Sequence, residues 1–316
     1  MSACQICGNE AGNSVHAVRE MHLGLRETFD YFQCRLCGCL QLADIPSDLG
    51  KYYPADYFSF RDYSRLTKSS LRGAFDRWRA KRSLEAPLPN WLNRVVKPLD
   101  YVAWLRAAGI GMDAKVLDVG CGSGKLLLRM TLGGLSNCLG VDPFLEKDIV
   151  YRNGLLIRKA DFREITGQWD LIMFHHALEH MAEPLAVLRA AAEKLSPDGV
   201  LLIRLPLADS VAWERYREHW YNLDAPRHFF LHTEASMEIL AQQAGLEIFH
   251  RFRDATPAQF AISELYRRDI ACSSRVRPES ILNQATLMRF KRETEKLNQE
   301  GKGDCGGFML RRPGAN

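Results

Sequence analysis

Three glycines at alternate positions follow an apolar run in VLDVGCGSGKLL, Val116 to Leu127. Glycine lets the backbone turn sharply and approach a ligand closely, so the spacing decides what the loop can hold. A phosphate cradle needs G-x-x-x-x-G-K-[ST], but Val119 and Leu126 stand where that pattern requires a glycine and a hydroxyl. The dinucleotide form G-x-G-x-x-G fails too, because Gly124 arrives one residue early after Gly120 and Gly122. What is left is a loop that bares its backbone to a small ligand beside Asp118.

A second chemistry lies at the amino end, where five of the nine cysteines fall in the first 39 residues. Cys4 and Cys7 in CQICG, and Cys34 and Cys37 in CRLCG, are each two residues apart and followed by glycine. That spacing turns two sulfurs onto one point, and two such pairs make a four-sulfur tetrahedral site suited to zinc. Four protein ligands leave no open position, so the expected role is structural. Cys39 is a spare that could stand in for Cys37; four reduced thiols in a small core is the alternative.

Histidine is the side chain suited to moving a proton near neutral pH. His175, His176 and His180 follow the apolar run WDLIMF. A second group lies in HWYNLDAPRHFFLHT, His219 to Thr233, a long aromatic loop with Tyr221, Asp224, Arg227 and His228. There Arg227 could hold a carboxylate or phosphate and His228 could act as a base. The alternative is a buried loop network with Arg227 paired to Asp224.

Elements must position these groups. HAVREMHLG and TFDYFQC read as strands filling the 26 residues between the cysteine pairs. From residue 115 apolar strands alternate with helices: KVLDVG, CLGVD, GLLIRKAD, WDLIMFHH, VLLIRLP and LEIFHRF as strands, KLLLRMTLGG, PLAVLRAAAEKL and TEASMEILAQQAG as helices. Such alternation signals a parallel sheet covered on both faces. Helical stretches near 258–269 and 279–300 come next, and GGFMLRRP could return as a seventh, antiparallel strand. Between the two regions, KYYPADYFSF is dense in aromatics, and 61–82 carries eight basic and two acidic residues with Leu66, Leu71, Phe75 and Trp78 at helical spacing. The plain reading is an amphipathic helix; the sharper one is a lid closing a pocket or meeting an acidic or lipid surface. Pro87, Pro89 and Pro98 punctuate the approach to the alternating region.

VLDVGCGSG resembles motif I of the class I S-adenosylmethionine-dependent methyltransferases, and FHHALEHM and LSPDGVLLI resemble their later motifs. The resemblance covers about 102–250 and implies a cofactor site. Asp118 with Gly120, Cys121, Gly122 and Gly124 would face the methionine half. Asp142, with Pro143 and Phe144 beside it, would take the ribose hydroxyls. Asp161 would receive the adenine amino group, with Phe162 near the base and His175 at the next strand end. Taken singly, a strand-end Asp is often a cap. LDAPRH looks like a motif of bacterial methyltransferases acting on sugars and natural products, with His228 as base, His176 and His180 as further candidates, and Tyr221, Asp224 and Arg227 toward substrate. Amino-terminal zinc segments also occur in sugar C-methyltransferases, but the chain as read stops before the large carboxyl-terminal domain of those enzymes.

The expected architecture is α/β: a Rossmann-like seven-stranded methyltransferase sheet with helices on both faces, preceded by a small zinc-ribbon-like module. The expected division is a module at 1–50, an aromatic and basic helical linker or lid at 51–100, and a methyltransferase domain at 101–316 with a helical insertion near 258–300. The chain has 316 residues, 47% apolar and 25% charged, with a net charge of +4, an ordinary globular balance short of a dedicated nucleic-acid binder. No apolar run reaches membrane-spanning length and no signal peptide is visible, so a cytoplasmic protein is expected, with peripheral membrane contact left open. The expected activity is methylation of a small molecule by S-adenosylmethionine, foremost O-methylation of a sugar, saccharide or natural-product intermediate. Three alternatives stand beside it: a sugar C-methyltransferase, an RNA or DNA methyltransferase binding through the zinc module, and a non-enzymatic zinc-ribbon adaptor. Against nucleic acid, FHHA stands where exocyclic-amine methylases carry an NPPY-like motif. Oligomeric state is not legible.

Overall fold

The computed structural model describes residues 3–54, 58–61, 63, 75, 78, 79, 81, 82, 84, 100–274 and 276–315. Most of the stretch expected as a helical linker or lid, including Leu66, Leu71, Pro87, Pro89 and Pro98, lies outside the described residues. The first elements are β1 (Ser14–Arg19), β2 (Thr28–Gln33) and β3 (Leu40–Leu42). Then come α1 (Asp100–Ala107), β4 (Val116–Val119), α2 (Lys125–Leu132), β5 (Cys138–Val141), β6 (Ile149–Val150), β7 (Leu156–Arg158) and β8 (Trp169–His175). They are followed by α3 (Pro184–Lys194), β9 (Leu195–Pro206), α4 (Val211–Tyr216), β10 (Phe230–Leu231) and α5 (Glu234–Gln243). The last are β11 (Glu247–Arg253), α6 (Ala258–Tyr266), α7 (Pro278–Ile281), α8 (Gln284–Gln299) and β12 (Cys305–Arg311).

The large sheet runs β11-β12-β9-β8-β4-β5-β7-β6. It has eight strands where the repeating pattern indicates seven. The addition is the two-residue β6, which pairs antiparallel with β7 and is too short for any periodicity to show. β4 is parallel to both β5 and β8, so the strand order reverses at β4. Ligands in open α/β sheets gather beyond the carboxyl ends of strands at such a switch point. All four residues of β4 are buried, which is why VLDV reads as an apolar run with one carboxylate in it.

The chain folds into two compact units, each discontinuous in sequence. One comprises Ala55–His175, Ala190–Ile203 and Met309–Asn316. Its described core includes Leu117, Leu127, Leu128, Ile157, Ile172 and Phe174. α2 is preceded by its N-cap Gly124, which holds a left-handed φ of 76°, and its last turn is closed by the Gly133 N–H on the Arg129 carbonyl at 3.0 Å.

The other unit comprises Met1–Pro54, His176–Arg189 and Arg204–Phe308. It holds the four-stranded sheet β1-β2-β3-β10, with β1–β2, β2–β3 and β3–β10 all antiparallel. Its core is aromatic, built on Trp213, Trp220, Phe230, Phe260 and Phe308. α5 has the expected threonine start: Thr233 and Ser236 form a reciprocal cap, and Gly245 comes after the helix at φ 71°.

Candidate functional site

The glycine loop comes directly after β4 in the unit that contains Ala55–His175. Gly120, Gly122 and Gly124 take φ values of 69°, 56° and 76°, a region side chains rarely adopt. The turn is held from the next strand: Gly120 N–H donates to the Val141 carbonyl at 2.8 Å, and Gly122 N–H to Asp142 Oδ2 at 2.8 Å. Asp142 Oδ1 accepts from the Phe144 N–H at 2.9 Å.

Asp118 is only 2% exposed, and its Oδ1 has no hydrogen-bond partner among the described residues. Burial, and then the charge of Asp142, push its carboxyl up to about 8. A buried carboxylate without a donor is costly. A cationic group brought to it would relieve that cost. The residues here therefore fit the amino-acid end of the cofactor that motif I implies.

Ser59 and Arg61 lie in the same unit against this loop. The Ser59 carbonyl accepts from the Ser123 N–H at 2.8 Å and from its hydroxyl at 3.0 Å, while the Arg61 carbonyl accepts from the same hydroxyl at 2.7 Å. A Cβ on Gly122 would meet the Ser59 carbonyl oxygen at 2.4 Å. Gly122→Ala is therefore expected to destabilise the fold by about 1–3 kcal/mol, through backbone strain and loss of this strap. A denaturant midpoint equal to that of the parent chain would refute the close approach.

The remaining expected cofactor residues are placed unequally. Asp161 caps the 3-10 turn Phe162–Glu164, its Oδ1 accepting from the Arg163 N–H at 2.8 Å, the role a lone strand-end Asp commonly has. Phe162 is buried edge-on to Phe174, ring centroids 5.7 Å apart. Cys121 is half-buried, and burial pushes its thiol up. Pro143 and Phe144 are exposed, and the His175 ring lies 5.5 Å from Trp104.

The histidine candidates beyond His175 belong to the other unit. A 3-10 turn, Leu178–His180, carries Glu179 and His180, and its Glu179 carbonyl accepts from the Phe229 N–H at 2.7 Å. His180 and His228 meet edge-on, ring centroids 4.7 Å apart. His180 Nδ1 is 2.8 Å from the Arg227 carbonyl, and His228 Nδ1 is 2.7 Å from the Asn222 carbonyl. A carbonyl only accepts, so both rings carry their proton on Nδ1 when neutral, and Nε2 is the unprotonated nitrogen; in His228 it lies 3.7 Å from Asp224 Oδ2. Burial, then His180, lower His228 to about 4.

Glu179 is fully buried, and neither carboxylate oxygen has a hydrogen-bond partner among the described residues. His176 Nδ1 approaches Oε1 at 3.4 Å from a side chain that is 41% exposed. Burial works against the charge of Glu179, yet the histidines around it, His176 foremost, hold its carboxyl at about 2. FHHALEHM contains Glu179, but one glutamate between Leu178 and His180 reads as a turn surface, and nothing local shows that it is buried.

Arg227 is 1% exposed and donates through Nε to Asp224 Oδ2 at 3.0 Å, through Nη2 to Asp224 Oδ1, and through Nη1 to the Tyr52 carbonyl at 3.0 Å. Of the two readings open in the sequence, the structure has the internal pair. Burial opposes the charge of Asp224, but Arg227 and His228 hold its carboxyl far below the usual range. Tyr221 starts the 3-10 turn Tyr221–Leu223, its N–H bound to the Ser263 hydroxyl at 3.1 Å.

The cysteine pairs converge. One sulfur from each of Cys4, Cys7, Cys34 and Cys37 lies within 4.8 Å of the others, with Cys4–Cys37 at 3.6 Å and Cys7–Cys34 at 3.4 Å. A tetrahedron with zinc–sulfur bonds of about 2.3 Å has edges of about 3.8 Å. Gly8 and Gly38, at φ 76° and 73°, close the two knuckles by donating to the Cys4 and Cys34 carbonyls at 2.8 and 2.9 Å. All four are free thiols. The donor set and its shape fit a tetrahedral soft cation. Cys39 stands apart, fully buried beside His232.

A methyltransferase-domain family model matches residues 79–251, more than half of the chain. A ubiquinone biosynthesis O-methyltransferase of Xanthomonas campestris pv. campestris (strain B100) is 36% identical, over 36% of this chain and 52% of its own. The namesake of Actinobacillus pleuropneumoniae serotype 7 (strain AP76) is 35% identical over 33% and 49%. This chain thus spans about half the length of the curated relatives it matches. Among solved structures, the cyclopropane synthase MmaA2 from Mycobacterium tuberculosis is 17% identical, with 80% of this chain and 96% of that one covered at a TM-score of 0.42.

Proposed function

This chain belongs to the methyltransferase-domain family, and from that premise we propose that it transfers a methyl group from S-adenosylmethionine to a hydroxyl of a small molecule, foremost a sugar, saccharide or natural-product intermediate. The observation that carries the reading is the buried Asp118, with a bare oxygen, beside three left-handed glycines and Asp142. In this reading Asp118 takes the cationic amino end of the cofactor. Asp142 accepts from the ribose hydroxyls, and Asp161 with Phe162 serves the adenine. When bound, the cofactor supplies a methyl already activated on a sulfonium, so the protein's task is alignment and proton removal.

A neutral hydroxyl is a poor nucleophile. We assign removal of its proton to the cluster of Glu179, His180 and His228. The four amino-terminal sulfurs hold zinc as a structural ion in this reading. O-methylation also agrees with the names of the Xanthomonas and Actinobacillus relatives.

The test is a screen with radiolabelled S-adenosylmethionine against nucleotide sugars, saccharides, phenols and RNA. Label in a small-molecule hydroxyl is the expected result. Label confined to RNA, or failure of the chain to bind the donor by calorimetry, would overturn the reading.

A further inference from the structure

We infer that Glu179, His180 and His228 form a binding site for a divalent transition-metal cation, separate from the four-cysteine site. One ligand atom from each residue lies within 4.8 Å of the other two. Neighbouring ligands of one cation with bonds of about 2.1 Å stand roughly 3–3.5 Å apart, so the three side chains must draw in by up to about 1.5 Å to share one.

Three features of the cluster suit metal better than a plain polar network. First, Glu179 is fully buried and neither carboxylate oxygen makes a hydrogen bond among the described residues, the half-exposed His176 standing 3.4 Å from Oε1, whereas buried carboxylates are ordinarily hydrogen-bonded. Second, both imidazoles donate Nδ1–H to backbone carbonyls, at 2.8 Å for His180 and 2.7 Å for His228. That is the arrangement that fixes a metal-ligating histidine in its tautomer and leaves Nε2 as the ligating nitrogen, which in His228 also lies 3.7 Å from Asp224 Oδ2. Third, those carbonyls are themselves built in. Arg227 is pinned by its pair with Asp224, and Asn222 donates through Nδ2 to Asp304 Oδ2 at 2.8 Å. The Tyr31 hydroxyl donates to the His228 carbonyl at 2.7 Å.

Two imidazoles and one carboxylate suit zinc, cobalt, manganese or iron in the divalent state. Three protein ligands leave coordination positions open, in contrast to the closed four-sulfur site. A hydroxyl can enter such a position and be polarised there. The role in acceptor activation rests on the proposed function; binding of the metal does not.

The test uses the full chain with its cysteine site already loaded with zinc, and Co²⁺ alone as the probe. Equilibrium dialysis with elemental analysis should find one Co²⁺ per chain. Strong thiolate-to-cobalt absorption would place the ion in the sulfur site instead. Glu179→Gln and, separately, His228→Asn are expected to weaken Co²⁺ binding at least tenfold, and the thermal upshift caused by Co²⁺ in the parent chain should vanish in both. Should one variant fail to fold, the other and the parent chain's own stoichiometry decide. No Co²⁺ beyond the sulfur site, or unchanged affinity in a folded variant, would overturn the site. Calorimetry with S-adenosylmethionine on the same preparation separates the two claims. Donor binding without Co²⁺ removes the metal site alone, and Co²⁺ binding without donor removes the functional reading alone.

Discussion

Asp118→Asn is expected to weaken S-adenosylmethionine binding about 100-fold at pH 7.5 while making the ligand-free fold more stable in alkali. A buried hydrogen bond between charged partners is worth about 1.5–3 kcal/mol, and tenfold in affinity is about 1.4 kcal/mol. The stability change comes from the carboxyl's position. In the folded chain burial, and then the charge of Asp142, push the Asp118 carboxyl up to about 8, against about 3.9 when unfolded. Between those values the folded state holds the extra proton, so stability falls as pH rises across this window, and the full cost is present above pH 8. Cys121 and Cys138, the thiols that feel Asp118, are themselves pushed up and stay uncharged there. Asparagine removes the titration. The variant should therefore gain on the parent from pH 5 upward and melt several degrees higher at pH 9.

The same residue makes donor affinity depend on pH. A cationic amino group draws the proton off Asp118, so binding releases about one proton below pH 8. The dissociation constant should fall by up to tenfold per pH unit between about pH 5.5 and 7.5 in the parent chain, and stay nearly flat in Asp118→Asn. Calorimetry in buffers of different ionisation enthalpy reads the proton directly. A parent chain with pH-independent affinity would show that Asp118 does not meet the cation.

On the proposed structural-zinc reading, Cys34→Ser should release the ion and unfold the small sheet. Removing one thiolate leaves three ligands, and a structural zinc site contributes folding energy outright, apparent values in isolated zinc fingers reaching about 10 kcal/mol. The loss will not stay at the knuckles. Gln41 Nε2 donates to Cys4 Sγ at 2.9 Å, and β3, which carries Gln41, pairs with β10. The Thr233 hydroxyl donates to the Cys37 carbonyl at 2.5 Å, and Tyr31 of β2 holds the His228 carbonyl. Zinc content should therefore drop from one ion to none, proteolysis should cut within 3–42, and turnover should fall with them. Cys39→Ser, outside the cluster, should keep its zinc. A chelated chain that melts within about 2 °C of the loaded one would exclude a structural ion.

Much of this was present in the sequence because it depends on short-range rules. Alternating apolar strands and amphipathic helices place successive strand ends together, so the sequence pattern alone pairs Asp118 with Asp142 across 24 residues. Paired cysteines with glycines after them show their geometry in five residues each. Other features had no local signature. β10 joins the amino-terminal sheet across almost two hundred residues, and a two-residue strand has no period to read. Asp161 and Asp142 share residue type and strand-end position, and each accepts from the N–H two residues on, but Asp142 also accepts from Gly122 of the glycine loop, whereas Asp161 caps a 3-10 turn.

Glu179 marks the boundary most sharply. Its neighbours in sequence suit an exposed turn, yet its side chain is fully buried beside His180 and His228, and its carbonyl accepts from the Phe229 N–H. Residue types and spacing determined which groups this chain has for binding a charged nucleoside and a tetrahedral ion. Tertiary structure decided which of them are desolvated, because burial depends on segments far apart in the chain. Desolvation, in turn, turns a carboxylate or an imidazole from a solvated surface group into a ligand.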